Sequence, residues 1–315
     1  MGVFRTSGLD DQWMGVEWND LDDDQQKGAV DRGMEDYDEF ESWNSKDTRT
    51  RAQVDGQVLS GRWVKKAKWR LNEAGTEWLL GGRARWTPRG FEEKGVSAGD
   101  AESPTAALSS HYVVEALGRA LGFVDSRCDI SSAFFQSRKF EDGEKEIWLD
   151  LPPEFQPRGE ATPKHERLCR RLLREVPGTK QAPRRWQERL AEVLVVGGWE
   201  ELSMEKCMWV KRVNGKLAGM LTTHVDDMRA RASQAVTEEL KILLEGTLKV
   251  GEFRMGEVES EFVGLQWKEV PEVEAVYRGQ QVLSERTPAG MLISQQAYTE
   301  QKLREVELPR ERWKQ

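Results

Sequence analysis

The sequence predicts an α+β domain built on an antiparallel sheet. Two observations carry this. Strand-like and helix-like stretches alternate along the chain. Hairpin signals join several of the strands, most clearly at Asn214-Gly215. The length of 315 residues suffices for one large or two ordinary domains with a real core.

Residues 1–50 hold 14 acidic against 5 basic side chains and are rich in Asp and Gly. Val30, Met34, Tyr37 and Phe40 have helical spacing within 25–43. The segment otherwise reads as an acidic, mostly mobile arm. From Gln57 the pattern changes. Val58, Leu59, Trp63, Val64 and Trp69 lead to a turn at 72–75, and Trp78 to Leu80 begin a returning strand bearing Arg83, Arg85 and Arg89. Residues 104–121 read as a helix through Ala106, Val113, Val114, Leu117, Ala120 and Leu121. Phe123 to Asp129 alternate as a strand, and Ser131 opens a short helical stretch.

Residues 147–176 are mixed, with a loop at Pro152-Pro153. Residues 181–196 form an amphipathic helix with Pro183 in its first turn. Cys207–Val213, Asn214-Gly215 and Lys216–His224 make a hairpin, and a second reversal at Val225-Asp226-Asp227 returns as Met228–Ala232. Residues 235–248 read as a helix, and Phe262–Trp267 as one more strand.

Charged residues make up 32% and apolar ones 38% of the chain, and no apolar run approaches a membrane span. The first residues lack the order of a secretory signal. Cys128, Cys169 and Cys207 are scattered and odd in number, which fits a reducing intracellular compartment. The net charge of −8 argues against nucleic-acid binding until its distribution is considered. The acidic first 50 residues account for all of it, and the remainder is near neutral with two basic clusters. Residues 51–92 carry 9 basic and 4 acidic side chains, and residues 164–189 carry 9 and 3. Local basic surfaces supply phosphate contacts, although such clusters can equally be solvated faces.

Adjacent carboxylates at a hairpin tip repel and raise each other's pKa. A divalent cation resolves the conflict, and magnesium favours a few carboxylates with substrate phosphates and water. A third carboxylate from a neighbouring strand would let two ions act side by side. The plain alternative for Asp226-Asp227 is a solvated turn.

Nine elements in order favour the chemical reading. They are GRWVKKAKW (61–69), RARWTPRGFEEKG (83–95), SPT (103–105), DISSAFFQ (129–136), LPPEF (151–155), GTKQAPRRW (178–186), HVDD (224–227), FVGLQW (262–267) and ISQQAYTEQKL (293–303). Over residues 57–305 the chain resembles the reverse transcriptases of copia-type retrotransposons. KQAPRRW with HVDD is the most specific pair.

The resemblance implies a right-hand polymerase with fingers and palm, the antiparallel palm sheet packed on helices. It implies fingers and palm over 51–250, then a primer-grip strand and thumb-like remainder over 251–315. Asp129, Asp226 and Asp227 match the metal-binding carboxylates, for two magnesium ions or manganese. Phe134 matches the aromatic that walls off a ribose 2′-hydroxyl, with Phe135 beside it as the competing position. Gln181, Arg83 and Arg85 match nucleotide contacts. Arg89, Arg184, Arg185, Gly264 and Trp267 match contacts to nucleic acid, with helix-surface salt bridges as the alternative for Arg184 and Arg185. The implied partners are an RNA or DNA template with primer and a dNTP, with no membrane, in a cytoplasmic particle or the nucleus.

Departures from the family pattern are His224, Pro177, Thr179 and Pro88. They motivate a second expectation, a catalytically decayed relic that keeps the fold. No ribonuclease H segment is recognisable, so the sequence reads as a polyprotein fragment or truncated frame. Separation of Asp129 from Asp226-Asp227 in space would point instead to an unrelated α+β domain.

Overall fold

The computed structural model describes residues 17–71, 78–257, 259–263, 265–270, 276–277, 280–281, 290–295 and 299. The chain begins with α1 (Asp23–Glu39), β1 (Trp43–Thr50), β2 (Gln57–Leu59), β3 (Gly61–Leu71) and β4 (Trp78–Pro88). There follow α2 (Ala98–Ala101), α3 (Leu108–Ala120), β5 (Val124–Ile130), β6 (Ile147–Asp150), β7 (Leu168–Leu172) and α4 (Ala182–Val196). Next come β8 (Trp199–Leu202), β9 (Glu205–Val213), β10 (Lys216–His224), β11 (Asp227–Ala232), α5 (Gln234–Thr247) and β12 (Val250–Met255). The last are β13 (Glu259–Phe262), β14 (Leu265–Val270), β15 (Val276–Tyr277), β16 (Gln280–Gln281) and β17 (Gly290–Ser294). The architecture is α+β, and among the described residues no helix is long and apolar enough to cross a membrane.

The chain divides into two compact units, residues 1–103 with 132–190 and residues 104–131 with 191–315. The boundary read from sequence at 250/251 is therefore not a unit boundary. The first unit holds a sheet of order β1-β7-β6-β2 and the β3–β4 ribbon. Its core gathers Tyr37, Trp43, Leu59, Trp86, Phe135 and Leu149.

That core corrects the expectation of a mobile arm for residues 23–50. Asp22 caps α1 by accepting from the Gln25 backbone amide, while the Asp22 backbone amide donates to Gln25 Oε1. Ala29, Gly33, Met34 and Tyr37 face inward. Gly33 lies against the Ala84 carbonyl, where a Cβ would approach to 2.3 Å, so helix and ribbon meet backbone to backbone. Tyr37 is fully buried and donates its hydroxyl to the Trp86 carbonyl at 2.7 Å. The acidic residues lie on the outer face, and composition alone hides the inner stripe. Tyr37→Ala is expected to cost about 3–5 kcal/mol in urea denaturation. A change below about 1 kcal/mol would show that α1 contributes little to the core.

In β4, Gly82, Ala84, Trp86 and Pro88 point inward while Arg83 and Arg85 point outward. Their cross-strand partners are Lys66 and Val64, and Arg62 faces Thr87. One face of the ribbon is thus basic and the other carries the Trp63–Trp86 edge-to-face pair. Pro88 closes the ribbon opposite Gly61 at its end, where a missing donor breaks no internal ladder. The turn expected at 72–75 lies outside the described residues.

The second unit is built on the antiparallel order β12-β5-β11-β10-β9-β8. The β9–β10 hairpin forms as expected, with Asn214 at φ 53° and Gly215 at φ 76°, the two positive values that a type I′ turn requires. FVGLQW is not one strand. Phe262 pairs with Leu265 across a tight reversal, making a β13–β14 hairpin that β17 extends. Most of ISQQAYTEQKL after Ser294 lies outside the described residues.

Candidate active site

The site begins with the register between β5 and β11. Asp227 stands directly opposite Asp129, and the Ile130 amide donates to the Asp226 carbonyl at 2.9 Å. Directly opposed residues of an antiparallel pair lie about 4.5–5.5 Å apart between Cα atoms and share a face. The register therefore brings Asp227 beside Asp129, with Asp226 next in sequence at the turn. His224 pairs with Asp227, leaving Val225-Asp226 as a two-residue turn. Val225 takes φ 59°, a conformation that costs a β-branched residue about 1–3 kcal/mol. The reversal thus holds Asp226 at its tip against a local backbone preference.

Asp129 and Asp226 are exposed and Asp227 is half-buried. Burial, then the charges of Asp226 and Asp129, push the Asp227 carboxyl above its ordinary range. His224 and Arg127 pull it the other way. On β12, Gly251 faces Asp129, and a Cβ there would lie 2.8 Å from Asp129 Oδ2. Bare backbone thus leaves room for the carboxylate. Burial pushes the Cys128 thiol up to about 12, so it packs as a neutral group.

Below the aspartates, the same face carries a column of charge that reading the sequence missed. Arg229 stands opposite Arg127, and Arg231 opposite Asp125. Arg229 donates to Asp125 Oδ1 at 3.1 Å and to Glu115 Oε2 of α3 at 2.8 Å. Arg231 donates to both Glu115 oxygens, at 3.1 and 2.6 Å. Arg127 pairs with Glu257. The Arg229 guanidinium also stacks 4.2 Å over Trp267. The signal was present as Asp227-x-Arg229-x-Arg231, a period of two along one strand.

An oxygen-only donor set of three carboxylates suits a hard divalent cation. The Asp227 carboxyl, raised by burial and then by Asp226 and Asp129, would be eased by a nearby cation. Among the described residues no three His, Cys, Asp or Glu side chains are gathered as ligands of a single ion.

The remaining sequence-assigned residues separate by unit. Trp267 is fully buried, with its indole donating to the Phe262 carbonyl, so it is a core residue and no surface for nucleic acid. Gly264 lies outside the described residues. In the first unit, Phe135 is the core aromatic, against Tyr37 and Phe40. Phe134 is partly exposed, which leaves it as the ring available to a ligand. Arg83 and Arg85 lie on the basic ribbon face, whereas Arg89 donates to Ser60 Oγ at 3.0 Å. Arg184 pairs with Glu188 and Asp100, and Arg185 with Glu144 and Glu188. Both thus make the helix-surface bridges weighed as their alternative.

Gln181 follows a loop seated on residues 87–93. Gly178 takes φ 108°, and a Cβ there would meet Thr87 Cγ2 at 2.3 Å and the Pro88 carbonyl at 2.6 Å. This close approach explains a glycine in GTKQAPRRW. Gly178→Ala is expected to cost about 2–3 kcal/mol in chemical denaturation, and a neutral result would disprove the packing argument.

A family model described as reverse transcriptase (RNA-dependent DNA polymerase) matches residues 53–279. The chain belongs to this reverse transcriptase family. The Pol polyprotein of transposon TNT 1-94 from Nicotiana tabacum is 27% identical to the reverse transcriptase over 175 residues, 55% of this chain and 12% of the relative. The Pol polyprotein of transposon RE2 from Arabidopsis thaliana is 24% identical over 220 residues, 68% of this chain and 14% of the relative. The chain spans only a small part of the length of those polyproteins. Among solved structures, Candida albicans telomerase with a telomeric RNA fragment aligns with TM-score 0.42 and 8% identity, over 76% of this chain and 48% of that one. A foamy viral protease–reverse transcriptase with double-stranded DNA aligns with TM-score 0.34 and 12% identity, over 78% and 43%.

Proposed function

We propose that this domain is a working RNA-directed DNA polymerase that transfers a nucleotide from dNTP to a primer 3′-hydroxyl, releasing pyrophosphate. The observation that carries the reading is the register that sets Asp129 opposite Asp227 beside the Asp226 turn. On this reading the second unit supplies the palm and the first unit the fingers. Asp129, Asp226 and Asp227 would hold two magnesium ions, or manganese. When bound, these supply the Lewis acidity that activates the hydroxyl and stabilises the leaving phosphate. The outward face of the ribbon, with Arg62, Lys66, Arg83 and Arg85, would meet phosphates of dNTP or template, a sequence-tolerant and salt-sensitive contact. Phe134 would exclude a ribose 2′-hydroxyl, and Gln181 would contact the incoming nucleotide.

The relic reading rests on departures that the fold absorbs. Thr179 Oγ1 donates to the Val176 carbonyl at 2.8 Å and accepts from the Val176 amide at 3.2 Å, closing the loop before Gln181. His224 keeps the strand pairing that sets the turn. These observations remove the departures as a structural argument for decay. Primer extension on an RNA template with magnesium tests the proposal. Extension that Asp226→Asn abolishes is expected. Template–primer binding without extension in either divalent cation would establish the relic.

A further inference from the structure

We infer that Lys145 is a positioning residue that sets the side-chain amide of Gln181 for the incoming nucleotide. The inference rests on the assignment of Gln181 to that nucleotide. Lys145 precedes β6 and is largely buried. Its Nζ donates to Glu93 Oε1 at 2.5 Å, Glu175 Oε1 at 2.6 Å and Gln181 Oε1 at 3.0 Å. An ammonium has three protons, so these three acceptors use all of its donor capacity. A lysine cannot accept a hydrogen bond. The Gln181 side chain must therefore turn its carbonyl oxygen to Lys145, which presents its NH2 group, two donors, on the other side.

The lysine is itself fixed. Glu93 and Glu175 have fully buried side chains. Glu93 also accepts from the Lys180 amide at 2.9 Å, and the Lys180 side chain donates to the Glu93 carbonyl at 2.6 Å. The cluster thus joins the segment after RARWTPRGF, the segment before β6 and the loop before α4. Two of the three lysine donors go to buried carboxylates and the third to Gln181. The third bond is the one that bears on recognition, because an amide free to flip would offer a nucleotide oxygen an acceptor half of the time. Reading the sequence attached no role to Lys145, because its partners lie 52, 30 and 36 residues away.

The test is a double-mutant cycle on dNTP affinity in the full chain. The readout is the apparent Kd with which a matched dNTP stabilises the complex with an RNA template and a dideoxy-terminated primer, so that no turnover is needed. Lys145→Met is expected to weaken dNTP about tenfold while template–primer affinity stays unchanged. Gln181→Ala is expected to do the same. Lys145→Met added to Gln181→Ala should weaken it less than about twofold further. Full additivity would overturn the inference and leave the Gln181 assignment standing. Unchanged affinity in Gln181→Ala would overturn the assignment and the inference together. Should Lys145→Met fail to fold, Lys145→Met with Glu175→Gln removes one charge of each sign and enters the same cycle. Lys145→Arg, which keeps a cationic donor, should recover most of the affinity.

Discussion

Asp227→Asn is expected to lower primer extension by about a thousandfold or more, because loss of metal-ion stabilisation is worth several kcal/mol and each 1.36 kcal/mol is a factor of ten. The same substitution is expected to stabilise the ion-free protein. Asp227 is half-buried between Asp226 and Asp129, and its carboxyl is raised by burial and by both neighbours. The native state therefore holds this proton more tightly than the unfolded chain does. Its contribution to stability is fully present below the ordinary carboxylate range and is lost as pH rises through the raised value. Asparagine keeps the shape and never ionises, so the two proteins should melt alike in acid and diverge at neutral pH, with the variant the more stable in chelator. Magnesium should raise the melting temperature of the wild type and leave the variant nearly unmoved. Extension at the wild-type rate by Asp227→Asn would remove the site from the mechanism. A wild type more stable than the variant in chelator would remove the electrostatic account.

The second large effect lies one layer deeper. Glu115→Ala is expected to destabilise the domain by about 3–5 kcal/mol, the cost of leaving buried charge without its partner. Against a typical total of about 5–15 kcal/mol this is a large fraction. Glu115 accepts three hydrogen bonds from Arg229 and Arg231, and all three residues are at most 4% exposed. Without it the two guanidiniums would share Asp125, with Glu269 as a further partner of Arg231 only at 4.0 Å. The helix is shaped for this contact, because a Cβ at Gly118 would lie 2.3 Å from Arg231 Cβ. Replacing Arg231 with Met alongside Glu115→Ala should recover part of the loss, since one stranded charge is then removed. Urea denaturation measures both, and a loss below about 1 kcal/mol for Glu115→Ala would mean that water reaches the cluster. The cluster clamps β5, β11 and α3 together, and the β5–β11 register places the aspartates. Activity in Glu115→Ala should therefore fall with unfolding, while the molecules that remain folded keep their metal dependence.

Much of this domain is legible in its sequence. The Asn214-Gly215 hairpin, the reversal at Val225-Asp226 and helix α5 follow from local rules of turn chemistry and spacing, which act within a few residues. The nine ordered elements point to the family, and the match over residues 53–279 bears that out. Three features were not legible, for a shared reason. Residues 23–50 look like an acidic arm because their composition is dominated by an outer face, while Tyr37 and Trp43 belong to a core assembled from distant segments. FVGLQW looks like a strand because alternation does not reveal the reversal after Phe262. Trp267 looks like a contact for nucleic acid, although Arg229, 38 residues earlier, stacks on it inside the protein.

By itself the sequence determined the residue types and local turns: three aspartates, two of them at a hairpin tip, on strands of the right alternation. Only the tertiary structure decided that Asp129 faces Asp227, that Arg229 and Arg231 are held by Glu115 and Asp125 beneath them, and that Lys145 reaches Gln181. The physical reason is range. Turn and strand preferences are set by covalent neighbours, whereas cross-strand register and buried charge pairing depend on residues tens to more than a hundred positions apart.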